Sequence, residues 1–178
     1  MTQTRGKFLV LIMVLMRSYE DQFKKADTYI LEKTGKHWNE LDPEGWYDTD
    51  LTRELISYYV QGSPTKEKAL ITFGKQVYPT IKRTTGLPPE LKTPLEYIEF
   101  EAKGHVENLR GLEVKPRRFL RKEEGCVVIE MPDEGEDCRI LEGVYLGILK
   151  LADVFSGQVE QKKCVRRGDP VCEFHITW

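Results

Sequence analysis

The sequence predicts an α+β domain: a helical N-terminal half packed on a roughly four-stranded antiparallel sheet. Three observations predict it. Apolar residues recur at spacings of three and four through most of residues 1–110. After Gly111 the spacing changes to alternation, most clearly from Cys126 to Met131. The chain has 178 residues, 40% hydrophobic and 31% charged, enough to bury one core and too apolar to be disordered. A single domain over 1–178 is expected, with 1–110 helical and 111–178 running strand, strand, helix, strand, strand.

Each element has a local reason. Phe8 to Phe23 reads as one helix, apolar on all sides at first and then amphipathic. A helix apolar all round is buried, in a core or at a subunit interface. Helix continues over Ala26 to Glu32 and stops at Gly35. Asp42-Pro43 and Glu44-Gly45 break the chain. Asp50 is the expected cap of a helix over Leu51 to Val60, and Ser63-Pro64 the start of the next. That helix carries Gly74, which invites a close neighbour, and Val77 to Arg83 follows it. Thr93-Pro94-Leu95-Glu96 fits a capping box for a helix to about Asn108. Strands are expected over Val114 to Arg121, Cys126 to Met131, Val159 to Val165 and Val171 to Ile176, with a helix over Asp137 to Val154.

Composition excludes several functions. Lys and Arg number 27 against 29 Asp and Glu, so binding nucleic acid by bulk charge is not expected. The apolar run Phe8 to Met16 is too short to cross a bilayer and no small-x-small cleavage site follows it. A cytoplasmic chain without membrane insertion is expected. There is no Gly-rich phosphate loop, nucleophile elbow or H-E-x-x-H, so the chain reads as non-enzymatic.

Four groups of residues could carry chemistry. Cys164 and Cys172 flank a hairpin turn and Cys138 starts the preceding helix; three thiolates brought together can hold zinc. Glu142, Glu160, Gln161 and His175 are near in sequence and leave the fourth ligand open; buried small hydrophobes are the plain alternative. His105 lies on the apolar face of the Thr93 to Asn108 helix, where it could ligate a heme iron, bond a polar ligand or simply meet a carbonyl. Tyr97, Phe100, Phe119 and Tyr145 could wall a pocket for a flat apolar molecule, or pack as ordinary core. Lys115, Arg117, Arg118, Arg121 and Lys122 form a basic stretch that could meet an anion or protect an edge strand.

Two resemblances sharpen this. Cys138-Arg139-Ile140-Leu141-Glu142-Gly143-Val144-Tyr145-Leu146-Gly147, then Cys164, then Gly168-Asp169-Pro170-Val171-Cys172-Glu173-Phe174, resembles the vinyl-reductase (4-vinyl reductase) domain family. That resemblance implies zinc on the three cysteines. The family's fourth ligand, a Glu three residues before the second Cys, is replaced here by Gln161. The helical half is similar, diffusely, to the heme-based nitric oxide/oxygen-binding (H-NOX) domains, which implies that His105 stands near the proximal heme position. Their propionate-gripping Tyr-x-Ser-x-Arg is replaced by Met131-Pro132-Asp133-Glu134-Gly135.

These resemblances imply a ligand-sensing regulatory domain that takes a small hydrophobic or aromatic molecule, or a tetrapyrrole, into an internal cavity and signals to a separate protein, a kinase or regulator. A homodimer through Phe8 to Met16 is expected. The alternatives are a heme gas sensor with His105 as axial ligand, and a ligand-free assembly module.

Overall fold

The structure, a computed structural model, describes residues 2–178 except Glu113, Asp133, Glu134, Glu136 and the side chain of Glu67. The chain divides into two compact units, Met1–Ala69 with Asn108–Glu113, and Leu70–Glu107 with Val114–Trp178. This division does not follow the expected halves, because the later helices group with the sheet.

The first unit contains β1 (Gln3–Arg5), α1 (Gly6–Met16), α2 (Glu20–Thr34), β2 (Trp46–Asp48), α3 (Thr49–Gly62) and β3 (Leu109–Arg110). The helix expected over Phe8 to Phe23 is two helices, because Tyr19 leaves the helical region at φ −114° and ψ 74°. Glu20 and Asp21 then open α2, where acidic side chains suit the positive end of the helix dipole. Gly35 closes α2 in the left-handed region, at φ 72°. Asp48, not Asp50, caps α3, its carboxylate accepting from the Asp50 N–H. The apolar run of α1, expected at a subunit interface, is core: Leu9, Met13 and Met16 are fully buried, and α1 packs on α2 and α3. β1 pairs with β2 on one side and β3 on the other, antiparallel in both cases. Strands of two or three residues are too short to show alternation in sequence.

The second unit contains α4 (Ala69–Thr84), α5 (Pro94–Asn108), β4 (Arg118–Glu123), β5 (Cys126–Met131), α6 (Cys138–Leu151), β6 (Gln158–Lys163) and β7 (Cys172–Thr177). The sheet order is β4-β5-β7-β6, antiparallel throughout. β4 begins later than expected because Pro116 has no N–H to give a ladder. The capping box of α5 forms: Glu96 accepts from the Thr93 N–H at 2.8 Å, and Thr93 Oγ1 accepts from the Glu96 N–H at 3.3 Å. Val127, Ile129, Phe174 and Ile176 line the inner face with Tyr145, Ile148 and Leu149 of α6, all 1% exposed or less. On the outer face Arg118, Glu130, Glu173 and Lys163 form one row across the four strands. Arg118 bonds Glu130, Lys163 reaches Glu173 at 2.5 Å, and His175 Nε2 lies 2.7 Å from Glu173.

Helices α4 and α6 meet backbone to backbone. A Cβ on Gly74 would lie 2.1 Å from the Ile140 carbonyl oxygen, and one on Gly143 would lie 2.3 Å from that of Ile71. A Cβ on Gly147 would lie 2.7 Å from the carbonyl of Lys75, the carbonyl that Pro79 leaves without its usual N–H donor four residues on. Gly74→Ala and Gly143→Ala should each destabilise the fold by about 3 kcal/mol or more, at or beyond the upper end for overpacking, because backbone cannot step aside. Urea unfolding checks this, and a loss under about 1 kcal/mol would show that the helices can part.

Glu173 is held below the usual carboxylate range by Lys163 and then His175. A depressed carboxyl contributes stability that is present above its unfolded pKa and lost as pH falls through the folded one. Glu173→Gln should therefore flatten the loss of stability between about pH 5 and pH 3, measured by unfolding midpoints across that range.

Candidate metal centre and buried ion-pair cluster

The three predicted cysteines converge. Cys138 opens α6, Cys164 follows β6, and Cys172 begins β7. Each is 5% exposed, and their sulfurs lie within 4.8 Å of one another, with Cys138 and Cys164 3.4 Å apart. Zinc binds thiolates at about 2.3 Å, which sets tetrahedral sulfurs about 3.8 Å apart, a spacing close to the 3.4 Å seen and inside the 4.8 Å bound.

Local sequence explains the convergence. Gly168 takes φ 93°, which favours glycine, and lets the chain turn back. Asp169 then accepts the Cys164 N–H at 2.7 Å and returns its own N–H to the Cys164 carbonyl at 3.2 Å. Asp137 caps α6 through the Arg139 N–H and pairs with Arg166 of the turn at 2.7 Å, which ties the turn to the helix that carries Cys138.

The electrostatics distinguish the sulfurs. Burial pushes the Cys138 thiol up to about 11, against a lowering by Gln161. Burial also raises Cys172, opposed by the Val165 N–H. Burial works to raise Cys164 too, but the Cys138 thiol and the N–H groups of Arg166 and Arg167 outweigh it and hold Cys164 below its ordinary value. A cation would replace the protons of Cys138 and Cys172. Among the described residues no His, Asp or Glu joins the trio. His175 and Glu160 pair across strands on the outer face, and Glu142 is half-buried, its carboxyl raised by burial. The donor set fits a thiophilic ion such as zinc.

The other predicted residues lie around the second unit's core. Tyr145 is fully buried, Tyr97 is 5% exposed, and Phe100 and Phe119 pack half-buried against the same cluster. His105 is half-buried in the last turn of α5. One turn earlier lies a feature the sequence reading missed. Glu101 is buried and takes a bidentate ion pair from Arg117 at 2.7–3.1 Å, both side chains under a tenth exposed. Tyr145 donates to Glu101 at 3.3 Å and sits 3.9 Å from the Met131 sulfur. Burial, then Glu101, raises the phenols of Tyr78 and Tyr145 well above their ordinary range, so both stay neutral. The available signal was the four-residue spacing of Glu101 and His105 on one helix face, with an arginine just after Pro116.

This cluster bears on heme. Two propionates need cations. Arg117 is taken by Glu101 and Arg118 by Glu130, while Arg121 pairs with Glu123 and Lys122 with Glu99. Four of the five basic residues meet the chain's own carboxylates. Asp133 and Glu134, where the propionate motif was sought, lie outside the described residues; Met131 there is buried core. Arg117, the buried cation of this stretch, is committed to Glu101 and is not open to a propionate.

No family model matches the sequence, so the vinyl-reductase resemblance has no family assignment behind it, and no curated protein matches it. Solved structures do match, over nearly the whole chain. A single-substitution variant of the T. tengcongensis H-NOX protein superposes at TM-score 0.73 and 13% identity, covering 97% of this chain and 94% of its own. An H-NOX protein from S. oneidensis gives 0.69 at 11% identity, covering 97% and 95%. The Fe(II) unliganded H-NOX protein from K. algicida gives 0.66 at 13%, again covering 97% and 95%. The fold is therefore H-NOX-like. At these identities the likeness concerns the fold alone. Among the described residues no helix is long and apolar enough to cross a membrane.

Removing one partner of a buried ion pair costs about 3–5 kcal/mol, whereas replacing both with apolar groups is often neutral. Arg117→Met should lose about that much, and Glu101→Leu with Arg117→Met should recover most of it. A double variant as unstable as the single would mean that the pair is not an isolated unit.

Proposed function

We propose that this chain is a non-enzymatic, ligand-responsive regulatory domain on an H-NOX-like fold. In this reading Cys138, Cys164 and Cys172 hold one zinc ion. The observation that carries it is the convergence of three buried sulfurs, two of them facing backbone N–H groups, at the junction of α6 with the β6–β7 turn. Bound there, zinc would fasten the turn to the first residue of α6, the helix whose middle carries Tyr145. The vinyl-reductase-like motif from Cys138 to Trp178 agrees with this use of the cysteines.

The sensed molecule is, in this proposal, small and hydrophobic or aromatic, received beside α5 among Tyr97, Phe100, Phe119 and Tyr145, with His105 and the Glu101–Arg117 pair nearby to meet a polar group. A buried ion pair is weak evidence for stability; here it supports a core kept polar for recognition. Binding would act only by differing between two states of the domain, and the response would pass to a second copy or a separate signalling protein.

The test is native mass spectrometry of the whole chain with zinc and, separately, with hemin, together with absorbance spectra. One zinc per chain is expected, lost in Cys164→Ser and weakened as pH falls, because Cys138 and Cys172 must shed their protons. No Soret band that depends on His105 is expected. A stoichiometric Soret band abolished by His105→Ala would replace this reading with the heme gas sensor. Protein that takes neither zinc nor hemin would favour the assembly module.

A further inference from the structure

Among the described residues, Gln161 Nε2 is a fully buried side-chain polar atom that makes no hydrogen bond of ordinary geometry, although the side chain lies near enough to the Cys138 thiol to lower it. Buried donors are rarely left so, and an exception calls for a missing partner. The sheet register says where that partner lies. Gln161 stands opposite Phe174, an inner-face residue that is fully buried. Cys172 lies two residues before Phe174 on β7 and therefore on the same face. Gln161 is thus a diagonal neighbour of Cys172, just before the bulge that leads the chain to Cys164.

The three sulfurs are not served alike. Cys164 faces the N–H groups of Arg166 and Arg167, and Cys172 faces that of Val165. Beside Cys138 the amide in reach is the Gln161 side chain. The Gln161 backbone is itself clamped, its carbonyl accepting from Arg167 at 3.3 Å, so the side chain is delivered from a fixed strand end.

We propose that Gln161 is a positioning residue of the metal centre: its Nε2–H donates to the metal-bound sulfur of Cys138 and does not ligate the ion. This rests on the reading of the cysteine trio as a metal centre. The partner that Nε2 lacks is then the sulfur once the ion has replaced its proton. Each of the three sulfurs would then face an N–H donor, Cys164 and Cys172 those of the backbone turn and Cys138 that of Gln161 on β6. Groups outside the ligand shell that bond a ligand atom fix its orientation and tune its donor strength.

The experiment compares the whole chain with Gln161→Leu and Gln161→Glu, loading Zn(II) against a chelator and reading Co(II) spectra. Gln161→Leu keeps the bulk and removes the donor; it should weaken zinc about 10–100-fold, the usual effect of losing such a partner. It should also move the sulfur-to-Co(II) charge-transfer band to lower energy, because a sulfur relieved of a hydrogen bond gives up electrons more easily. A purely structural role would not move that band. Gln161→Glu also removes the donor but sets a carboxylate where the resembled family has its fourth ligand, so it should alter the Co(II) d–d bands through a changed ligand set. Weaker zinc in Gln161→Leu with the charge-transfer band left in place would overturn the proposal, because the side chain would then support the site without bonding the sulfur. Unchanged affinity and spectrum in both variants would show that Gln161 has no part in the centre. Wild-type protein that binds neither ion would instead reject the metal reading itself, and this inference with it.

Discussion

The seat of α6 against α4 is the constraint on which the candidate site rests. At Gly74, Gly143 and Gly147 no Cβ stands between the two backbones, and one added there would meet backbone atoms of the other helix. Their approach fixes the axis of α6, and α6 carries both chemical features of the second unit. Cys138 opens it, and Tyr145, two turns on, reaches Glu101. A helix displaced by a methyl group at this contact would carry Cys138 away from Cys164 and Cys172, which the β6–β7 turn holds, and would pull on the Asp137–Arg166 pair that joins turn and helix. Close packing transmits such a shift because interiors have little room to absorb it.

The second unit buries two kinds of polar construction. The Glu101–Arg117–Tyr145 cluster is satisfied by its own members: one carboxylate, one guanidinium and one phenol. The cysteine trio is different, because two of its thiols are raised by burial and one is lowered, so its protons are poorly matched to their surroundings. The first construction is closed by hydrogen bonds and an ion pair of its own, whereas the second is a group of sulfurs that could hold a cation. That difference separates a polar core element from a site.

Much of the fold was legible because it rests on local chemistry. The alternation of Cys126 to Met131 gave β5 to the residue, and the capping box at Thr93 gave the start of α5. Gly74 was read as a point of close approach, and the structure supplies the neighbour. Capping at Asp48 in place of Asp50 and the break at Tyr19 were missed, since neighbouring polar residues satisfy the same local rule. The cysteines were legible through the hairpin spacing of Cys164 and Cys172. The Glu101–Arg117 pair was not, because its members lie sixteen residues apart and Arg117 stands in a loop ahead of β4, outside any periodic pattern. A basic stretch in a sequence does not say which carboxylates meet it. The orphaned amide of Gln161 was likewise invisible, since burial of a strand-end side chain depends on the bulge beside it.

Pro79 and Gly147 illustrate what such packing implies for variation. The proline denies the Lys75 carbonyl its helical donor, and the glycine brings α6 close to that same carbonyl, where a Cα–H can face it. Neither residue is favourable in a helix by itself. Together they are mutually explanatory: the glycine gives the exposed carbonyl a neighbour, and the proline keeps that carbonyl open to one. The two positions lie 68 places apart in the chain and meet at a single oxygen atom, so a change at either alters what the other answers to.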